Sequence, residues 1–337
     1  MIGNLPNIEQ NMNKPLILHT ARYIGIPWEI LKSLVPEEFE VKTLGTLDYD
    51  CLVKEAAKAD YLLVSGRLPI NEGVLSVAKH LKMIQRTGVG TEMLDKAAIK
   101  KHGIPVYVNA GVNAQSVAEH TLTLMLACLK RLPQINKQTH EGIWNKQQTG
   151  VTTHELKGKT VALVGMGNIG RLVAQMLAPF GAKVIYTDVF RQSEELEKSL
   201  NLTFYDSFES LLPFVDVLSF HCPLTSENTE ILNSLTLAKM KQGAIVVNTA
   251  RGKLINPNDL YQSLITGHLS SAALDTHYEE PIKESYKFAD LDNVILTPHI
   301  GGLSYEAFQS MMEESLENIK AFEKGMKEDI EDKLLNI

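Results

Sequence analysis

Short apolar runs recur along this chain, separated by helix-like segments, and that alternation restricts the fold more than any other feature. Strand-like runs stand at PLILH (15–19), YLLVS (61–65) and KMIQR (82–86). A second series follows at TVALVG (160–165), KVIYTD (183–188), DVLSFH (216–221), AIVVNTA (244–250), SAALD (271–275) and NVILT (293–297). These runs are apolar at consecutive positions, so both faces of each strand must be covered. Segments such as NEGVLSVAKH (71–80) supply helices to cover them. Two series predict an α/β protein with two doubly wound parallel-sheet domains. The 337 residues suffice for two cores.

Between the two series, AQSVAEHTLTLMLACLKRL (114–132) reads as a long helix, with Ser116 and Glu119 spaced as a capping box at its start. The final helical segment, SYEAFQSMMEESLENIKAFEKG (304–325), returns the chain to the first domain. That domain is then discontinuous, residues 1–113 with 302–337, and residues 114–301 form the second. Gly301–Gly302 and the long helix are the expected hinge.

The formal net charge is -7 and no basic block occurs, which excludes nucleic acid as an expected partner. No stretch of 18 apolar residues is present, so no membrane span is expected. The opening MIGNLPNIEQNMNKPLILHT lacks the basic start and apolar stretch of a secretory signal. Cys51, Cys128 and Cys222 are odd in number and widely spaced, which suits a reducing cytoplasm. No metal is expected.

In TVALVGMGNIGRLVAQML, Gly165, Gly167 and Gly170 have the G-x-G-x-x-G spacing. Such a triplet alone is weak evidence. Here it follows a strand-like run and opens a helix patterned by Ile169, Val173 and Leu177. Gly165 is expected to make the tight turn, Gly167 to admit a pyrophosphate, and Gly170 to let helix and strand pack. The helix N-terminus offers amides to the phosphates. Asp188, ending the next strand, is placed to accept hydrogen bonds from both ribose hydroxyls and to repel a 2′-phosphate, which predicts NAD rather than NADP. Arg191, close by, is the one feature that softens this preference.

Downstream, NTARG (248–252), ALDTHYEEP (273–281) and TPHIGG (297–302) follow strand-like runs. Ligands of open α/β sheets bind at the carboxyl ends of strands. Arg251, Glu280 and His299 are therefore expected to converge. Singly, each has a plainer reading: a surface cation, a solvated turn acid, a loop histidine.

These stretches, with FHCPLTSENTEILN, RTGVGTEMLD and VNAGVNAQSVAEH, resemble the D-isomer-specific 2-hydroxyacid dehydrogenase family over nearly the whole chain. The resemblance implies a Rossmann-type NAD domain, a flavodoxin-like substrate domain, and NAD in the cleft. It implies hydride transfer between NAD(H) and a D-2-hydroxy acid/2-oxo acid pair. Its catalytic arginine, acid and histidine fall on Arg251, Glu280 and His299. Its cofactor contacts fall on Asn168, Ile169, Cys222, Thr249, Ala250 and, at the nicotinamide amide, Asp275, with Gly302 a close neighbour. Its substrate-carboxylate loop falls on Val89 and Gly90. It also implies a homodimer, with the segment 133–157 and Trp144 as the dimer arm.

Three departures stand out. Thr276–His277 replace a valine and an aromatic residue, Gly90-Thr91-Glu92-Met93 replace the usual loop sequence, and Ala110–Gly111 replace Pro-Gly. Arg86 and Arg131 fall where phosphoglycerate dehydrogenases bind an anionic substrate tail, which leaves D-3-phosphoglycerate dehydrogenase activity open. The chain length speaks against the C-terminal regulatory domain of some of those enzymes. A non-catalytic NAD(H)-sensing scaffold, as in related corepressors, is also compatible with the resemblance, as is a formate or phosphite dehydrogenase.

Overall fold

The structure is a computed structural model that describes residues 14–337. The first residues of the opening segment read above for targeting signals, 1–13, lie outside it. Packing divides the described residues into two compact units, 14–112 with Tyr305–Ile337, and Asn113–Ser304.

The first unit holds a five-stranded sheet of β1 (Leu16–His19), β2 (Glu40–Thr43), β3 (Tyr61–Val64), β4 (Met83–Arg86) and β5 (Val106–Val108), in the order β2-β1-β3-β4-β5. Every pairing is parallel. This is the flavodoxin-like order. Alternate residues serve opposite faces: Leu62 and Val64 join one core, Tyr61 and Leu63 the other. Helix Tyr305–Glu323 supplies Met311, Met312, Leu316 and Ile319 to that second core.

The second unit holds β6 (Thr160–Val164), β7 (Lys183–Thr187), β8 (Leu202–Phe204), β9 (Val217–Phe220), β10 (Ala244–Asn248), β11 (Leu269–Leu274) and β12 (Val294–Leu296). The order is β12-β11-β10-β9-β6-β7-β8, again all parallel. This is the Rossmann order with one further strand at an edge. Two cores clothe its faces: Ala162 and Val164 of β6 enter one, Val161 and Leu163 the other. The strand order reverses at β6, and the crevice outside the carboxyl ends of β6 and β9 is where such sheets bind ligands.

Nine strand-like runs of the sequence are strands, and three strands have no such run. β2, β5 and β8 are three or four residues long, and β2 is not buried at any position. Edge strands with one open face need no continuous apolar run. The capping box also fails. Helix Ala114–Lys130 begins at Asn113, which makes no side-chain cap bond. Ser116 therefore sits inside the first turn. Its hydroxyl donates to the Gly301 carbonyl (2.8 Å), and Glu119 accepts from Gln115 (2.7 Å).

Candidate active site

The glycine loop after β6 has the shape its sequence predicts. Gly165 has φ 101°, and a Cβ on it would lie 2.7 Å from the His221 carbonyl carbon. Its backbone thus passes hard against the end of β9 in a conformation that favours glycine. A Cβ on Gly170 would lie 2.2 Å from the Gly165 carbonyl oxygen. Between them, a Cβ on Gly167 would meet nothing within 4 Å. Gly167 caps helix Asn168–Leu177, whose first amides have no carbonyl partner within the helix. Two glycines make the loop tight and the third leaves it open, an arrangement that fits a pyrophosphate. Ile169 is half-buried against the core, and Asn168 Oδ1 accepts from Arg171 (3.2 Å).

Asp188 follows β7 and ties the glycine loop to it: Oδ2 accepts from the Met166 amide (2.5 Å), and Oδ1 from the Phe190 amide (3.1 Å). Cys222 follows β9, and burial pushes its thiol up to about 11, so it stays protonated at neutral pH.

At the ends of β10 to β12, three segments are locked together. Asn248 orders the loop after β10: its Nδ2 donates to the Arg251 carbonyl (2.8 Å), and its Oδ1 accepts from the Ala250 amide (3.0 Å). Thr249 shares a hydrogen bond with Thr121 of helix Ala114–Lys130 (2.8 Å). Arg251 Nη1 donates to the Ala250 carbonyl (2.7 Å). A Cβ on Gly252 would fall 2.0 Å from the His277 carbonyl carbon, so only glycine lets the Arg251 loop pack on the segment leading to Glu280. His277 then fixes Glu280 through its backbone amide, 2.9 Å from Oε1. The other carboxylate oxygen, Oε2, lies 2.7 Å from Nδ1 of His299.

Burial works to raise the Glu280 carboxyl, but the hydrogen bonds from His299 and the His277 amide prevail and hold it below the usual carboxylate range. The His299 side chain is 46% exposed, and its backbone is left-handed, with φ 55°. That conformation is uncommon outside glycine and is held by its surroundings. The holder is Asp275, at the end of β11. Its carboxylate accepts from Thr297 Oγ1 (2.6 Å), the Ile300 amide (2.9 Å) and the Gly301 amide (2.9 Å). His120 lies 3.4 Å from the same group. Burial opposes ionisation of Asp275, but these bonds outweigh it and bring the carboxyl down to about 2.

The two glycines after His299 do not have positive φ. They permit close approach instead: a Cβ on Gly301 would press on Asp275 and His120, and one on Gly302 on Asn113. His277, buried, shares one ring nitrogen with the Tyr286 hydroxyl and the other with the Thr297 carbonyl, both at 2.9 Å. Both nitrogens are thus engaged in structure.

Sequence reasoning names both members of the His299–Glu280 pair and Thr249, Ala250 and Arg251 of the loop after β10, but not Asn248, which orders that loop. It misses the anchoring of the His299 turn by Asp275, Thr297 and His120, and the packing role of Gly252. The signal for these is that all four residues fall within the quoted stretches, Gly252, Asp275 and Thr297 at strand ends and His120 in the long helix.

In the first unit, Arg86 is occupied. Its Nε donates to the Gly90 carbonyl (2.7 Å), and Nη1 to the Val64 carbonyl (3.1 Å) and Thr87 Oγ1 (3.0 Å). It braces the loop bearing Val89 and Gly90, and Val89 is exposed. Arg131 lies in the second unit, ends helix Ala114–Lys130 with φ 51°, and donates to Thr152 (2.9 Å). It lines a small polar pocket of about 130 Å³ with Gln134, Gln138 and Asn145, apart from the site residues.

Residues 122–301 match the family described as D-isomer specific 2-hydroxyacid dehydrogenase, NAD binding domain. The chain belongs to that family. A hydroxypyruvate reductase of Thermotoga maritima is 36% identical over 84% of this chain and 90% of its own. A glyoxylate reductase of Thermofilum pendens is 36% identical over 81% of each. A D-3-phosphoglycerate dehydrogenase of Archaeoglobus fulgidus is 35% identical over 80% of this chain, which spans only 50% of that relative. Among solved structures, a D-lactate dehydrogenase from Aquifex aeolicus complexed with NAD and lactic acid superimposes with a TM-score of 0.82, at 29% identity, over 95% of this chain and 98% of that one.

As a D-2-hydroxyacid dehydrogenase, the chain is an NAD-dependent oxidoreductase acting on the CH–OH group of a 2-hydroxy acid and the carbonyl of its 2-oxo counterpart. No helix among the described residues is long and apolar enough to cross a membrane. No cluster of three His, Cys, Asp or Glu among them is arranged to hold a metal.

Proposed function

We propose that this dehydrogenase reduces a small, uncharged-tail 2-oxo acid of the hydroxypyruvate or glyoxylate kind to the D-2-hydroxy acid. The observation that carries the reaction is the 2.7 Å contact between His299 Nδ1 and Glu280 Oε2, on a ring left exposed at strand ends. Glu280 occupies one ring nitrogen, which leaves Nε2 to give a proton to the nascent alkoxide. Arg251 grips the substrate carboxylate with its planar fork and stabilises charge developing on the carbonyl oxygen. Val89 and Gly90 are the substrate-loop positions of the first unit. NAD(H), when bound, supplies or accepts the hydride at C2. On a loop shaped by Gly165 and Gly170, Gly167, Asn168 and Ile169 would hold its pyrophosphate, Asp188 would hold its ribose, and Cys222, Thr249, Ala250, Asp275 and Gly302 would line the rest of its path.

Two observations support the small substrate. The relatives that share most of their length with this chain are named for hydroxypyruvate and glyoxylate. Arg86, the cation best placed by sequence to read a phosphate, is engaged in bracing its own loop. The residues before Asn113 and after Ser304 act as the substrate domain in this reading, and the segment between as the NAD domain. Homodimerisation in a reducing cytoplasm completes it: Trp144 is 79% and Val151 82% exposed on the arm, and all three cysteines are free.

The test is NADH oxidation with glyoxylate, hydroxypyruvate, pyruvate, 2-oxoisocaproate and 3-phosphohydroxypyruvate, followed by chiral analysis of the product. Turnover with hydroxypyruvate or glyoxylate to a D product is expected. A higher kcat/KM for 3-phosphohydroxypyruvate refutes the small-substrate reading, an L product refutes the stereochemistry, and no turnover with any 2-oxo acid refutes the reaction. Light scattering of the native protein at twice the chain mass is the expected result for the dimer.

A further inference from the structure

Arg191 stands three residues after Asp188, where a cation would ordinarily welcome the 2′-phosphate of NADP. The structure shows it turned elsewhere. Its Nε and Nη2 donate to Glu197 Oε1 and Oε2 at 3.0 and 2.9 Å, a two-pronged pair with one carboxylate. The guanidinium also lies over the Phe204 ring, 5.3 Å from its centroid. Glu197 is itself fixed. It belongs to helix Glu194–Leu200, is buried, and accepts a 2.7 Å hydrogen bond from the Tyr186 hydroxyl. That hydroxyl in turn accepts from the Gln192 amide (2.9 Å), which closes the loop on itself. The hydrogen bonds from Arg191, then from Tyr186, hold the Glu197 carboxyl down to about 2, so it is anionic at any working pH. Meanwhile the Asp188 carboxylate takes two backbone amides of its own loops.

We propose that Glu197 is a positioning residue for coenzyme choice: by holding Arg191 on its own carboxylate and over Phe204, it withholds a cation that could neutralise a 2′-phosphate beside Asp188 and so secures NADH over NADPH. This rests on the placement of the adenosine ribose at Asp188. Selectivity in this region then has two layers, a repelling anion at Asp188 and a withheld cation at Arg191. A charge-assisted pair is strong enough to set a tenfold preference.

The experiment compares kcat/KM for NADH and NADPH, with hydroxypyruvate or glyoxylate, in four proteins besides wild type. Glu197→Gln keeps the shape and the Tyr186 contact but releases the cation. It should raise kcat/KM for NADPH about tenfold and leave that for NADH nearly unchanged. Arg191→Ala in the wild-type background should leave NADPH use as poor as before, because the cation is already withheld. This variant tests the idea even where Glu197→Gln fails to fold. Arg191→Ala with Glu197→Gln should lose the gain. Asp188→Ser should raise NADPH use independently.

A Glu197→Gln enzyme with unchanged selectivity, a gain that survives Arg191→Ala, or a wild-type background in which Arg191→Ala weakens NADPH overturns the proposal. If Asp188→Ser alone leaves the NADH/NADPH ratio unchanged, the ribose placement at Asp188 fails instead.

Discussion

His19 and His299 each stand at the carboxyl edge of a parallel sheet, one at the end of β1 and the other just past β12, yet the two edges treat them in opposite ways. His19 is fully buried, stacked 4.2 Å from Tyr23, with Nδ1 accepting from the Ala21 amide (3.1 Å). Burial above all, with Arg86 nearby adding to it, pushes its ring down to about 3. It is a neutral packing group. His299 is held outward on a left-handed backbone, with an anion on one nitrogen. The same side chain at the same kind of strand end is silenced by desolvation in one sheet and left exposed against a carboxylate in the other. The difference lies in whether a carboxylate from a neighbouring strand end reaches the ring, not in the sheet topology.

The largest effect expected from this contrast is on turnover. His299→Asn should bind NADH normally and lose about 10²–10⁴ in kcat. His19→Phe should leave turnover per folded molecule near wild type. Steady-state kinetics with NADH titration decides, and a His299 variant with near-normal kcat would place the proton donor elsewhere.

The glycine loop offers the next effect. Gly170→Ala drives a methyl into the Gly165 carbonyl and should destabilise the protein by about 1–3 kcal/mol. Gly167→Ala meets open space and should keep the wild-type Tm while weakening NADH binding. Equal Tm values for the two variants would contradict this division of labour.

Stability against pH separates the two histidines further. The folded pKa of His19 is depressed below its unfolded value, so the unfolded chain binds the extra proton and the fold loses stability as pH falls from about 6.5 toward 3. His19→Phe should make the denaturation free energy less steep in that window by about 1.4 kcal/mol per pH unit. An unchanged slope would mean that His19 does not stay neutral in the fold.

The smallest effect is at the pair itself. Burial works against ionisation of Glu280, but the hydrogen bond from His299, then that from the His277 amide, hold its carboxyl below the usual range, so an anion stands beside the ring. Reduction consumes a proton, so Glu280→Gln, which removes the anion beside the ring, should move the alkaline limb of the reduction profile to lower pH. A limb that stays in place would leave Glu280 with an orienting role only.

The contrast also marks how far the sequence could be read. Nine strands, the three glycines and Asp188 are legible because each rests on a local pattern: consecutive apolar residues, a fixed glycine spacing, an acid at a strand end. His299, Glu280 and Arg251 are nameable as strand-end residues for the same reason. The capping box at Ser116 is a local pattern too, and there the Gly301 carbonyl, far along the chain, wins the hydroxyl.

What the sequence by itself determined is thus the class of fold, the glycine loop after β6 and the short roll of polar side chains at strand ends. Tertiary structure alone decided that Asp275 holds the His299 turn, that Gly252 seats the Arg251 loop on His277, that Arg191 is tied to Glu197, and that His19 is silent. The physical reason is one of range. Periodicity along a chain records which face is buried, because burial acts on each residue separately. Which donor meets which acceptor depends on which segments lie side by side, and at the His299 turn that is set only when β10, β11 and β12 take their places in the sheet.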